Sequence, residues 1–109
     1  MIVVLFRSRL TADAGADYKQ MAEEMYSTAH EVPGFIDFKS FTAEDGERLA
    51  IVRWKDHETL KQWREHPRHR EAQRLGRAKW YEYFKIEIAE VVREGEFERK
   101  KPAEAGASI

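Results

Sequence analysis

The stretch FIDFKSFTAEDGERLAIVRW, residues 35–54, decides the fold of this chain. Its two ends are rich in aromatic and β-branched residues, which predicts strands over residues 35–42 and 48–54. Between them, Glu44-Asp45-Gly46-Glu47 contains the Asp-Gly pair typical of tight hairpins, because glycine tolerates a positive φ. Two strands joined by so short a turn are antiparallel neighbours in a sheet.

A strand and an amphipathic helix are predicted before this hairpin. Residues 2–10, IVVLFRSRL, have the composition of a strand. From Ala14 to about Glu31, apolar residues recur at helical spacing, and Pro33-Gly34 ends the helix. The apolar stripe consists of Tyr18, Met21, Ala22, Met25 and Ala29.

Two short helices and a long strand are predicted after the hairpin. Asp56 is a good N-cap for a helix over residues 57–65. A proline then permits a new helix over residues 67–75, which we expect Gly76 to stop. Residues 78–92 are predicted to form the last strand.

The element order β, α, β, β, α, β predicts a ferredoxin-like α+β fold with an antiparallel sheet. Right-handed crossovers would place the helices on one face of that sheet. We expect residues 1–94 to form this single domain. The segment GEFERKKPAEAGASI, residues 95–109, is mostly small or charged and is predicted to be a flexible tail.

The sheet face turned away from the helices is predicted to pair with a second copy of the chain. In the third strand, Leu49 and Ile51 lie on one side while Ala50, Val52 and Trp54 lie on the other. An open apolar sheet face favours a two-fold homodimer. The alternative is a monomer with irregular alternation.

Composition excludes several classes of function. The net charge is −1, which argues against nucleic acid or an anionic membrane as the main partner. Without cysteine, the chain has neither disulfides nor thiolate metal sites. No apolar run approaches the roughly 20 residues that a membrane helix needs. The expected location is the cytoplasm.

Residues 63–92 carry a resemblance to a known family. The matching residues are Trp63, His66-Pro67, His69, Ala72, Gly76-Arg77 and Trp80-Tyr81, with Val32-Pro33-Gly34-Phe35 and Arg53-Trp54. With these residues, the chain resembles the antibiotic biosynthesis monooxygenase family over about residues 1–93. The resemblance implies a dimeric α+β barrel. It also implies one of several activities: cofactor-independent oxidation of a small aromatic, quinol-like molecule with O2, haem binding or degradation, or isomerisation or binding of a small molecule.

The haem-degrading branch of this family is only partly matched. The resemblance implies an Asn near the end of the first strand, a Trp on the second helix and a haem-ligating His ten residues later. This chain has Ser8, Trp63 and Gln73 at those positions. Because an amide is not an ordinary axial haem ligand, we expect no cofactor and favour the monooxygenase.

His69 and Trp63 are the predicted catalytic residues. A cofactor-free oxygenase needs a base that turns its substrate into an anion, and histidine suits that role near neutral pH. Trp63 would form a wall against a flat substrate, and Gln73, one turn after His69, would orient a substrate oxygen. The alternatives are a surface histidine and a core tryptophan.

Four further residues are predicted to bind substrate: Ser8, His66, Tyr81 and Tyr83. Ser8 would share a face with the apolar Val4 and Phe6, and Tyr81 would share a face with Tyr83. His66 could instead cap the helix that begins at Pro67. His66 and His69 lack a third ligand at recognisable spacing, so no metal site is predicted. The basic residues of positions 64–79 are interpreted as a solvated face, or as a rim that attracts acidic substrates.

Overall fold

The structure is a computed structural model, which describes residues 1–99. The elements are β1 (Ile2–Leu10), α1 (Ala16–Glu31), β2 (Phe35–Thr42), β3 (Arg48–Trp54), α2 (His57–Glu65), α3 (Pro67–Leu75), a π-helical turn (Gly76–Trp80) and β4 (Tyr81–Glu90). The four strands form one sheet in the order β2-β3-β1-β4, and every neighbouring pair is antiparallel. The ferredoxin-like α+β architecture is therefore confirmed.

The central hairpin forms as its turn residues predict. The amide of Ala43 donates to the carbonyl of Glu47 at 2.8 Å, and the amide of Gly46 donates to the carbonyl of Ala43 at 2.9 Å. Gly46 has a φ of 89°, the left-handed conformation that glycine adopts without strain. The hairpin thereby pairs β2 with β3 and places β1 on the other side of β3.

Local caps set the ends of α2 and α3. The Asp56 side chain accepts a hydrogen bond from the amide of Thr59 at 2.9 Å, which completes a capping box. Pro67 occupies the first turn of α3. Between them, the extended conformation of His66 ends one helix and begins the next. Both helices therefore have the bounds that the sequence predicts.

The segment before β4 departs from the prediction. Residues 78–80 were expected to begin the last strand, and Gly76 was expected to stop α3. Instead, Gly76 has helical dihedrals, and the chain continues as a π-helical turn to Trp80. The indole Nε1 of Trp80 donates to Asp17 at 3.1 Å, and its carbonyl accepts from the amide of Thr11 at 2.8 Å. These long-range contacts override the local strand composition.

The two faces of the sheet differ in what covers them. On the helix side, Ile2, Trp54, Leu60 and Trp63 form the buried core with Ala29. The opposite face has a half-buried apolar centre, Leu5 and Ile51 among it, with charged residues further along the strands.

Two further observations concern the segment after β4 and the length of the helices. Residues 91–99 form neither helix nor strand, and most of the predicted tail, residues 100–109, lies outside the described residues. Within residues 1–99, no helix has the length and apolar character needed to cross a membrane.

Candidate functional site

A cavity of about 1000 Å³ lies between the helices and the sheet. Its floor is the helix-facing side of β1 and β3, and α1, α2 and α3 supply its walls. Its size reaches the upper end of the range for small-molecule sites, roughly 300–1,000 Å³. We call its two ends the aromatic end (Trp54, Leu60, Trp63 and His69) and the tyrosine end (Ser8, Tyr18, Arg48 and Tyr81).

The aromatic end is a stack of rings. Trp54 ends β3 and is completely buried, and Trp63 of α2 is only 8% exposed. Their ring centroids are 6.0 Å apart with an interplanar angle of 26°. The His69 ring also stacks on Trp63, with ring centroids 4.4 Å apart and an interplanar angle of 26°. A ligand at this end would meet flat aromatic surfaces.

His69 projects from the first turns of α3 into this stack, and its surroundings keep it neutral. Burial lowers the pKa of His69 from 6.5 to about 4, although the nearby carbonyls of Arg64 and Trp63 favour the charged form. Its Nδ1 is buried and has no hydrogen-bond partner among the described residues. Because Nδ1 is enclosed by protein, Nε2 is the nitrogen left for a ligand. A neutral ring that carries its proton on Nδ1 has its lone pair on Nε2.

The tyrosine end carries polar groups. Tyr18 of α1 and Tyr81 of β4 lie edge to face, with centroids 6.1 Å apart. An Arg48 guanidinium nitrogen donates to the Tyr18 hydroxyl at 3.2 Å. Ser8, opposite Arg48 in the sheet, is only 3% exposed. Burial raises the pKa of Tyr81, so its hydroxyl keeps its proton and remains a donor.

Gly76 determines where the Tyr81 ring lies. A Cβ at Gly76 would come within 2.7 Å of Cε2 and 2.8 Å of Cδ2 of that ring. Only a residue without a side chain permits this approach. The ring then packs against Phe6 and Phe84, at centroid distances of 5.4 Å and 5.9 Å.

The structure brings five of the seven predicted site residues together. Trp63, His69 and Gln73 line the cavity from the helices, and Ser8 and Tyr81 line it from the sheet.

His66 and Tyr83 do not line the cavity. The Nδ1 of His66 accepts a hydrogen bond from the amide of Arg68 at 3.1 Å, so His66 caps α3. Tyr83 is 41% exposed on the opposite face of the sheet. The prediction that Tyr81 and Tyr83 share a face is wrong, because the register shifts where Arg9 pairs with Tyr83 but Leu10 pairs with Tyr81.

Two cavity residues were missed as site residues. Tyr18 was assigned only to the apolar stripe of α1. Arg48 was not singled out, although alternation along β3 places it on the same face as Ala50 and Val52. The signal in the sequence was a charged residue on the same strand face as several apolar residues. In β1, a polar residue among apolar residues of one face did identify Ser8.

Five of the six lysines and arginines at positions 64–79 fall into two groups. Arg68, Arg74 and Lys79 form ion pairs with Glu24, Glu71 and Asp17 and agree with a solvated face. Arg64 and Arg77 line the cavity instead. In residues 1–99, no three histidine or acidic side chains are grouped so that they could hold a metal ion.

Comparisons with known proteins agree on one family. Residues 1–75 match the family model described as antibiotic biosynthesis monooxygenase. The chain is 32% identical over 95 residues to the uncharacterized protein YqjZ of Bacillus subtilis strain 168, a match that covers 87% of this chain and 82% of YqjZ.

Solved structures show the same fold at low sequence identity. Rv0793 from Mycobacterium tuberculosis has a TM-score of 0.76 and 14% identity, covering 87% of this chain and 98% of Rv0793. SnoaB from Streptomyces nogalater, described as a cofactor-independent oxygenase, has a TM-score of 0.71 and 14% identity over 85% of this chain and 94% of SnoaB.

Proposed function

This chain belongs to the antibiotic biosynthesis monooxygenase family, and from that membership we propose that it is a cofactor-independent monooxygenase that oxidises a small aromatic, quinol-like molecule with O2. One observation carries the proposal. A neutral histidine, His69, stacks on Trp63 inside a largely apolar cavity of about 1000 Å³. The similar fold of SnoaB, described as a cofactor-independent oxygenase, supports the same activity.

The first step assigned to His69 is proton transfer. A quinol or anthrone resists oxygen until it loses a proton, because the anion is the electron donor. Nε2 of neutral His69 would accept that proton. Burial disfavours an isolated imidazolium, so the proton moves only when the new substrate anion lies beside the ring and pairs with it. The site thereby links deprotonation to the presence of bound substrate.

Oxygen then completes the reaction without a cofactor. The substrate anion passes one electron to O2, and the resulting radical pair combines to form a carbon–oxygen bond. Cleavage of the O–O bond leaves one oxygen atom as a carbonyl on the substrate. The other oxygen atom leaves as water with the two hydrogens that the substrate has lost. Trp63 and Trp54 exclude solvent from this exchange, and Gln73 would orient the reacting oxygen.

Oxygen uptake by the metal-free protein tests this activity. With a panel of hydroquinones and anthrones, uptake should exceed autoxidation for at least one compound. His69→Ala should reduce the rate by roughly a hundredfold, in the range of general-base effects. Trp63→Ala should raise KM, since it removes a stacking wall. His57→Ala is the matched control, because His57 is exposed and pairs with Glu90 away from the cavity.

Three outcomes would change the assignment. Ligand binding with no oxygen uptake would move it to an isomerase or a small-molecule binding module. A Soret shift on adding haem would favour a haem protein. The cavity fits haem ligation poorly, because Gln73 occupies the ligand position of the haem-degrading branch. Equal rates in His69→Ala and the unmodified protein would remove the proposed base.

We also propose that two copies of the chain pair through the sheet face turned away from the helices. Ile51 lies near the centre of that face, opposite Leu5 in β1, and Phe41 and Tyr83 leave 45% and 41% of their surfaces exposed. Light scattering coupled to size exclusion should give a dimer mass. Ile51→Glu should give a monomer, because an unpaired carboxylate would be buried at the interface. Lys61→Glu on the exposed side of α2 should remain dimeric.

A further inference from the structure

Arg48 is a half-buried arginine that has no acidic partner among residues 1–99. Five others, Arg7, Arg9, Arg53, Arg68 and Arg74, form ion pairs with carboxylates. Within residues 1–99, Arg48 forms none, although it is partly buried and lines the cavity.

Tyr18 holds the Arg48 guanidinium in place. The Tyr18 hydroxyl accepts from Arg48 at 3.2 Å, and the guanidinium carbon lies 5.6 Å from the centroid of the Tyr18 ring. This hydrogen bond orients the guanidinium, whose donors form a planar fork. One of its nitrogens donates to the phenol. Within residues 1–99, the others remain for a ligand.

Neighbouring acids do not neutralise this charge. Asp17 is next to Tyr18 in sequence, but its carboxylate accepts from Trp80 Nε1 and pairs with Lys79. Those two contacts lower the pKa of Asp17 to about 2. Asp17 does not line the cavity. Its charge is therefore already compensated by other groups.

The charge lining the cavity is opposite in sign to that of the chain. The chain has a net charge of −1. The cavity is lined by one acidic side chain, Glu23, and by four positively charged side chains: Lys19, Arg48, Arg64 and Arg77. Arg77 lies over the Phe84 ring, 5.7 Å from its centroid, and so belongs to the same part of the cavity as Tyr81. A surplus of positive charge in a partly enclosed cavity attracts anions.

We propose that the tyrosine end is a subsite for a carboxylate carried by an otherwise apolar aromatic ligand. Arg48 would take the carboxylate in its planar fork, and the hydroxyls of Tyr81 and Ser8 would donate to its oxygens. The aromatic body of the ligand would extend toward Trp63 and His69. Trp54 lies six positions after Arg48 in β3, about 20 Å along the strand, which leaves room for both parts of the ligand. This inference rests on the proposed function, because it names the class of substrate for the same cavity.

A matched pair of ligands tests the subsite. The probes are an anthraquinone monocarboxylate and the corresponding carboxamide, which share one ring system and differ in charge. Both are fully oxidised, so neither can be turned over. Titrations followed by tryptophan fluorescence at pH 7.5 should show the carboxylate binding roughly tenfold to hundredfold more tightly, as expected for charge-assisted hydrogen bonds. Equal dissociation constants would overturn the subsite.

Three variants locate the preference. Arg48→Gln should remove the preference and leave carboxamide affinity within about twofold. Arg48→Lys keeps the charge but loses the fork, and should retain part of the preference. Arg64→Gln, which removes the charge of another cavity-lining but exposed residue, should retain most of the preference. An equal loss in Arg64→Gln would overturn the assignment to Arg48 in favour of a general positive field.

The same experiments separate this inference from the proposed activity. A carboxylate preference that depends on Arg48, with no oxygen uptake by any reduced substrate, would support the subsite and count against the oxygenase. Oxygen uptake by neutral quinols, with no carboxylate preference, would do the reverse. Circular dichroism of each variant should show an intact fold, and if Arg48→Gln fails to fold, Arg48→Lys decides.

Discussion

The two ends of the cavity lie on one face of one sheet but bring opposite physical properties to a ligand. At the aromatic end, Trp54 and Trp63 are almost fully buried, and the Nδ1 atom of His69 and the Nε1 atom of Trp54 have no hydrogen-bond partner in the described chain. At the tyrosine end, polar groups contact one another and a charge remains uncompensated. Desolvation therefore acts on a titratable base at one end, while a fixed charge acts on the ligand at the other.

The difference follows from which elements cover each end. Two short helices, α2 and α3, close the aromatic end with Leu60, Trp63 and His69. The tyrosine end is formed where α1 begins and where the π-helical turn leads into β4, and elements that begin or end supply polar groups and free backbone. A cavity built this way can hold a flat ring and recognise a charged substituent separately.

The largest expected effect is loss of the buried stack. Trp54→Ala should lower the free energy of unfolding by about 3–5 kcal/mol, the range for removing a large buried aromatic side chain. Phe97→Ala, at an aromatic residue that follows β4 and is 79% exposed, should cost less than about 1 kcal/mol. Urea denaturation measures both. Similar costs would mean that the aromatic end is not the centre of the core.

The second effect is on the pH dependence of stability. His69 is neutral down to about pH 4 in the folded chain, but titrates near 6.5 when unfolded. The unfolded state therefore binds more protons between these values, so the free energy of unfolding falls as pH drops from about 6.5 to about 4. Over this range, the free energy of unfolding should fall by at most about 3 kcal/mol. His69→Gln should lose less over the same window, and identical pH profiles would show that His69 is not buried.

Substitution by alanine should lower the stability by different amounts at two glycines with similar φ angles. Gly34 has φ 93° and Gly46 has φ 89°, so alanine is strained at both. At Gly34 a Cβ would also collide with the Thr59 side chain that caps α2, whereas at Gly46 it would meet only one Arg9 nitrogen at 4.0 Å. Thermal unfolding should show Gly34→Ala costing about 1–3 kcal/mol more than Gly46→Ala. Equal losses of stability in the two variants would show that the close contact between Gly34 and Thr59 does not stabilise α2.

The smallest effect is confined to the tyrosine end. Gly76→Ala should displace the Tyr81 ring, lower stability by about 1 kcal/mol, and weaken binding of the anthraquinone carboxylate several-fold. Gly95→Ala is the control, since nothing lies within 4 Å of a Cβ there and Gly95 does not line the cavity. Unchanged carboxylate affinity in Gly76→Ala would indicate that Tyr81 does not contribute to the subsite.

Most of the fold was predictable because its determinants are local. The hairpin follows from Asp45-Gly46, and α2 and α3 begin where Asp56 and Pro67 permit helices to begin. The π-helical turn was not predictable from its own composition. Its conformation depends on the hydrogen bond from Trp80 to Asp17, 63 positions away in the chain.

The candidate site was predictable in part. Ser8, Trp63, His69, Gln73 and Tyr81 line one cavity as expected. The position of Tyr83 was not, because one register shift moves a side chain to the other face of a sheet.

The sequence by itself determined the element order, the caps and which residues share a face in β1 and β3, since these depend on turn chemistry and on periods of two and 3.6 residues. Only the tertiary structure decided that Arg48 meets Tyr18 without an acid, that Tyr81 rests on Gly76, and that burial lowers the pKa of His69. Desolvation and charge compensation arise from groups far apart in the chain, so they exist only once the helices pack on the sheet.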